Sequence, residues 1–166
     1  MSSIAYIDMT TLNFPNKISI DIYFSGCDIE PKCEGCHNKQ LWDKNYGRIY
    51  SDEELFDHVD KMVSDLLSFT SKEFIGITYM GGEPLAPYNR NTLKYLTEKI
   101  NKKYNIEQLI FTGRTLDEIY KQNLTSYIMY ATYIKVGKFD SGKRSTGEFL
   151  ASENQKLLTI GDLDGN

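Results

Sequence analysis

Lys17-Ile-Ser-Ile-Asp-Ile-Tyr-Phe24 sets isoleucine at every second position and closes on an apolar pair, the pattern of a strand entering a core. A loop follows at once, and it carries all three cysteines of the chain, Cys27, Cys33 and Cys36. The same arrangement recurs further along. Phe74-Ile-Gly-Ile-Thr-Tyr79 reads as a second strand and runs into Gly81-Gly82-Glu83-Pro84. Leu109-Ile-Phe-Thr112 is a third, stopped by Gly113, and Tyr133-Ile-Lys-Val136 is a fourth, ending at Gly137.

Helices fill the intervals. Ser51-Asp-Glu-Glu54 is a capping box, in which serine oxygen and glutamate each satisfy an otherwise unpaired N–H. Behind it Leu55, Val59, Met62, Val63 and Leu66 fall at helical spacing. A second helix is predicted from Asn89 or Asn91, with Leu93, Leu96 and Ile100 inside, and Thr115-Leu-Asp-Glu118 repeats the capping box for a short third one. Strands alternating with helices imply βα units and an α/β fold with a mostly parallel sheet. In such sheets chemistry collects at the carboxyl ends of the strands. The cysteine loop, the Gly-Gly-Glu turn, Thr112-Gly113 and Val136-Gly137 all fall at such ends.

Length and composition bound the function. A chain of 166 residues is a single-domain length, too short for a closed eight-stranded (β/α) barrel of about 250 residues. The domain is read as 1–166, with a short N-terminal extension over 1–16 and a frayed polar tail over 161–166. A net charge of −4 excludes the basic stripe that holds a nucleic-acid backbone. The sequence has no apolar run of membrane-spanning length and no secretory signal at its start, so a cytoplasmic protein is expected. Three cysteines within ten residues cannot all pair, and in a reducing compartment such a cluster points to metal or redox chemistry.

The cysteine gaps are five residues and then two. Three thiolates on a four-site centre leave one position open for substrate, whether the centre is one metal ion or a cubane iron–sulfur cluster. Gly26 and Gly35 allow tight turns beside the ligands. Buried free thiols are a poor alternative, because Asp28, Glu30, Lys32 and Glu34 surround them. A zinc site of the three cysteines plus His37 is a second alternative, strained by the adjacency of Cys36 and His37.

Phe24-Ser-Gly-Cys27, Cys33-Glu-Gly-Cys36-His-Asn38 with Trp42, and Met80-Gly-Gly-Glu-Pro-Leu85 follow one another in order. After them come Phe111-Thr-Gly113, Asp117-Glu-Ile119, Val136-Gly-Lys-Phe139 and Ser152-Glu-Asn154-Gln155-Lys156. In these motifs, over about residues 18–158, the chain resembles the radical S-adenosylmethionine enzymes, and specifically the activating enzymes of anaerobic ribonucleotide reductase. It departs from them twice. The family's usual first cysteine gap is three residues, and an Asp commonly stands where this chain has Val136.

The resemblance implies an open partial (β/α) barrel of the radical S-adenosylmethionine type. It implies an oxidoreductase with a [4Fe–4S] cluster on Cys27, Cys33 and Cys36, whose open iron binds S-adenosylmethionine. Cofactor contacts are expected from Gly35, Cys36, His37, Gly81, Gly82, Glu83 and Thr112, with no catalytic residue beyond cluster and cofactor. Glu83 either holds the methionine amino group or orients its turn; His37 either packs on the adenine or shields the cluster. One electron would cleave the cofactor to methionine and a 5′-deoxyadenosyl radical, which takes hydrogen from a glycine of the class III reductase. The implied partners are that reductase and a low-potential electron donor such as flavodoxin. A radical enzyme acting on a small molecule, resembling 7-carboxy-7-deazaguanine synthase, and a zinc-stabilised interaction module are the rival readings.

Overall fold

The computed structural model describes residues 1–146 and 150–165. Its centre is the four strands expected from the isoleucine-rich runs: β2 (Ile18–Phe24), β4 (Ile75–Gly81), β5 (Glu107–Phe111) and β6 (Tyr133–Val136). They lie side by side in that order and all run parallel. Ile18 stands opposite Ile75 and Phe24 opposite Gly81, so β2 and β4 end level with each other. Three further strands complete a seven-stranded sheet. β1 (Ser2–Thr10) pairs antiparallel with β2, and β3 (Arg48–Tyr50) pairs antiparallel with β1 at one edge. β7 (Lys156–Thr159) pairs antiparallel with β6 at the other.

The helices cover one face. α1 (Asp52–Leu67) starts on the expected capping box: Ser51 Oγ accepts from Glu54 N at 3.1 Å, and Glu54 Oε2 accepts from Ser51 N at 2.9 Å. It buries Leu55, Val59, Val63 and Leu66. α2 (Arg90–Tyr104) buries Leu93, Leu96 and Ile100 and ends on Asn105 in the left-handed region. α3 (Leu116–Lys121) uses the second capping box, and α4 (Thr125–Ile128) follows it. Their apolar faces share one core with Ile20, Ile22, Phe24, Ile77, Tyr79, Ile110, Ile134 and Val136 of the parallel strands. Because side chains alternate along a strand, Asp21, Tyr23, Gly76, Thr78, Met80, Phe111 and Lys135 face the opposite side.

On that side the segment between β1 and β2 folds back across the sheet. Gly76 leaves room for the Phe14 ring, which a Cβ there would meet at 2.5 Å, and Phe14 also stands edge-on to Tyr133. Asp21, fully buried, accepts hydrogen bonds from Thr10 Oγ1 at 2.8 Å, Asn13 Nδ2 at 2.7 Å and Ser19 Oγ at 2.7 Å. Two expectations change here. Most of 1–16, read as an extension, is strand β1, and the tail read as frayed carries a 3-10 helix over Ile160–Gly165. Residue 166 lies outside the described residues.

Candidate functional site

β2 delivers the chain to Gly26, whose φ of +84° is open to glycine and which abuts Tyr88 and Lys44 so closely that a side chain has no space. Cys27 comes next. Its N–H donates to Trp42 O at 3.4 Å, and a turn from Cys36 N to Cys33 O at 3.3 Å closes the two-residue gap. The five-residue gap is held by lysines. Lys32 Nζ donates to Cys27 O at 2.7 Å and Ile29 O at 3.2 Å; Lys138 Nζ donates to Glu30 O at 3.0 Å and Pro31 O at 2.9 Å.

The three half-buried cysteines line one cavity of about 570 Å³. Burial pushes the Cys27 thiol up to about 11. A single zinc ion gathers its thiolates within about 4.6 Å of one another, twice the ~2.3 Å Zn–S bond. Among the described residues no three His, Cys, Asp or Glu side chains stand close enough to hold one ion. Three soft sulfur donors line one hollow, the donor type that suits zinc or an iron–sulfur cluster.

The glycine turn forms the neighbouring wall. Gly82 N donates to Phe24 O and Glu83 N to Gly26 O, both at 2.8 Å, which lays the end of β4 on the end of β2. Gly81 has a φ of +112°, and a Cβ on Gly82 would run into the Gly26 carbonyl oxygen. Asn89 Nδ2 fastens the pair from behind, donating to Ser25 O at 2.9 Å and Glu83 O at 3.1 Å. Glu83 is fully buried. Its Oε1 accepts from Thr112 Oγ1 at 2.8 Å and Leu85 N at 3.0 Å, and its Oε2 from Gly113 N at 2.9 Å. Burial pushes this carboxyl upward, and the Arg114 guanidinium at 3.3 Å, with those hydrogen bonds, opposes the shift.

Cys27, Cys33, Cys36, His37, Gly81, Gly82, Glu83 and Thr112 all face the same cavity. His37 is exposed and stands edge-on to the Phe139 ring, centroids 5.2 Å apart. Gly35 does not line the cavity; with φ +71° it lies against Ser141 and Phe139. Lys135, Phe111 and Asn13, none of them expected from the sequence to belong to the site, also line it. Lys135 is buried with its Nζ 4.4 Å from the Phe111 ring centroid, and burial pulls its ammonium down to about 8. Alternation along β6 was the available signal, since Ile134 and Val136 enter the core and Lys135 must face away.

The Ser152–Gln155 motif closes the far side. Gln155 Oε1 accepts from Ala151 N at 3.1 Å and Ser152 N at 3.2 Å, while its Nε2 donates to Gly137 O at 3.1 Å. Asn154 Nδ2 donates to Lys138 O at 2.8 Å, and Asp140 N donates to Ser152 Oγ at 3.2 Å. The motif thereby pins the segment after β6, whose Lys138 reaches back to the cysteine loop.

No helix among the described residues is long and apolar enough to cross a membrane. Three curated relatives bear the name anaerobic ribonucleoside-triphosphate reductase-activating protein. That of Enterobacteria phage T4 is 27% identical over 143 residues, 85% of this chain and 83% of its own. That of Vibrio cholerae serotype O1 is 27% identical over 154 residues, covering 92% and 94%. The Salmonella typhi protein is 33% identical over 99 residues, 59% of this chain and 60% of its own. Residues 18–158, which carry every cysteine and the Gly81-Gly82-Glu83 turn, match the family described as 4Fe-4S single cluster domain, and the chain belongs to that family.

Proposed function

We propose that this chain is the activating enzyme of an anaerobic ribonucleotide reductase, working with a [4Fe–4S] cluster and S-adenosylmethionine. One observation carries the reading: the three cysteines and the Gly81-Gly82-Glu83 turn line a single cavity at the carboxyl ends of parallel strands. The names of the relatives support the choice of partner. A bound [4Fe–4S] cluster would supply one-electron reductive chemistry to S-adenosylmethionine, and the cofactor would supply the hydrogen-abstracting power directed at a glycine of the reductase.

The chain's own groups bind and aim. Cys27, Cys33 and Cys36 would hold the cluster by three thiolates, one protein ligand fewer than the usual four. The Gly81-Gly82 backbone offers polar groups to the cofactor without a Cβ in the way. Glu83 and Thr112, bonded to one another, hold the ends of β4 and β5 at a set separation, so Glu83 acts by orienting the turn. His37, beside Phe139, screens the cluster from the exposed side. Gly35 gives the cysteine loop its turn before Cys36. In this reading residues 1–166 form one radical S-adenosylmethionine domain, an open partial (β/α) barrel acting in the cytoplasm. The helix-free face of the sheet is covered by a glycine-bearing loop of the class III reductase, and a low-potential donor such as flavodoxin supplies the electron.

Anaerobic reconstitution tests this. Reductant-dependent 5′-deoxyadenosine is expected from the chain, and a glycyl-radical EPR signal only when the reductase is added. An intact cluster that yields neither product overturns the reading. Deoxyadenosine without a reductase-dependent signal would favour the small-molecule alternative.

A further inference from the structure

Arg114 was absent from every expectation drawn from the sequence, yet its guanidinium is buried at the junction of the cysteine loop and the glycine turn. Its Nη2 pairs with Asp28 Oδ2 at 2.7 Å, and Asp28 is the residue directly after Cys27. Its Nη1, enclosed and making no hydrogen bond, faces Glu83 Oε1 at 3.3 Å. Its Nε donates to Gln122 Oε1 at 3.1 Å, at the end of α3. The backbone is held as well: Arg114 N donates to Thr112 Oγ1 at 3.1 Å, and its carbonyl accepts from Gly137 N at 2.9 Å. One planar cation thus spans the first cysteine's neighbour, the acid of the glycine turn and the segment beyond β5.

The first cysteine gap makes this contact consequential. Five residues are a longer tether than the three usual for the resembled family, and a longer loop has more conformations to lose before its thiolates meet one cluster. Asp28 lies inside that gap. Glu83 sits on a turn that backbone hydrogen bonds and Asn89 tie to the end of β2. A guanidinium is suited to the junction because its fork presents donors in fixed directions to separate partners, which a lysine ammonium cannot reproduce.

We propose that Arg114 is a positioning residue: through Asp28 and Glu83 it sets the enlarged cysteine loop against the Gly81-Gly82-Glu83 turn, so that cluster and cofactor meet in register. This rests on the functional reading above. The test compares wild type with Asp28→Asn, Arg114→Lys, Arg114→Gln and the Asp28→Asn/Arg114→Gln double variant, all reconstituted anaerobically. Three readouts are iron and sulfide content, the dissociation constant of S-adenosylmethionine by equilibrium dialysis, and hydrogen–deuterium exchange over residues 27–36 and 81–85. Asp28→Asn, whose side chain is partly exposed, is expected to keep wild-type iron and fold while binding the cofactor about tenfold more weakly. Exchange should rise in both segments together. Arg114→Lys should not restore affinity, and the double variant should bind no more weakly than Arg114→Gln alone, because both changes cut one link.

Wild-type affinity and exchange in Asp28→Asn would overturn the proposal, as would losses that add in the double variant. Should Arg114→Gln fail to fold, Asp28→Asn and Arg114→Lys decide the matter. If wild type itself takes up no cluster or cofactor, the functional reading fails, while the exchange data still judge whether Arg114 joins the two segments.

Discussion

At Gly82 one added methyl group would be driven into the carbonyl oxygen of Gly26, the same oxygen that accepts from Glu83 N. The backbone there has no soft neighbour to displace, so either the turn lifts or β2 shifts. Gly82→Ala is expected to destabilise the fold by about 1–3 kcal/mol, as overpacking does, and to weaken cofactor binding at unchanged iron content. Urea unfolding and equilibrium dialysis measure the two effects. Glu83 illustrates a limit on what residue types reveal. From sequence it was equally able to grip a ligand or to brace its turn, and only the arrangement of Thr112, Leu85, Gly113 and Arg114 around its two oxygens favours bracing. The cysteines needed no such help, because three soft ligands in ten residues are informative before any folding is considered.

Elements differ in how strongly local chemistry writes them. Both capping boxes form as expected, since their partners lie three residues apart and need no tertiary help. The parallel strands were legible because one face of each enters the core and leaves apolar residues at period two. β1, β3 and β7 were not. β1 is partly exposed along most of its length, β3 has three residues and β7 is largely exposed, so their pairing comes from the strands beside them. The α1–α2 contact has a pH signature. Burial pushes the Asp60 carboxyl up, but hydrogen bonds from Lys103 Nζ at 2.6 Å and Tyr104 Oη at 2.7 Å outweigh it and leave it below the usual range. A carboxyl lowered in the folded state contributes stability that is full above roughly pH 4 and is lost as pH falls through its folded value. Asp60→Asn is expected to cost about 0.5 kcal/mol at neutral pH, given the exposed lysine, with the deficit vanishing near pH 2 in pH-dependent urea titrations.

Across the whole molecule the site is closed by residues far apart in sequence. Gln155 clasps Gly137, Asn154 holds the Lys138 carbonyl, and Lys138 reaches Glu30 and Pro31 of the cysteine loop. The Ser152–Gln155 motif thus has a physical task that its sequence did not disclose. Gln155→Ala strips acceptors from two backbone N–H groups and a donor from Gly137, and is expected to cost about 1–3 kcal/mol. It should also speed loss of the cluster's visible absorbance in air, because the clasp over the cysteine loop is released. The sequence by itself determined the parallel centre of the sheet, the helices, the clustered cysteines and the glycine turn opposite them. These depend on periodicity and residue chemistry within short windows. Only the tertiary structure decided the edge strands, the burial of Lys135 and the junction at Arg114. A buried cation or an edge pairing is defined by what packs against it, and Asp28 stands 86 residues from Arg114 along the chain.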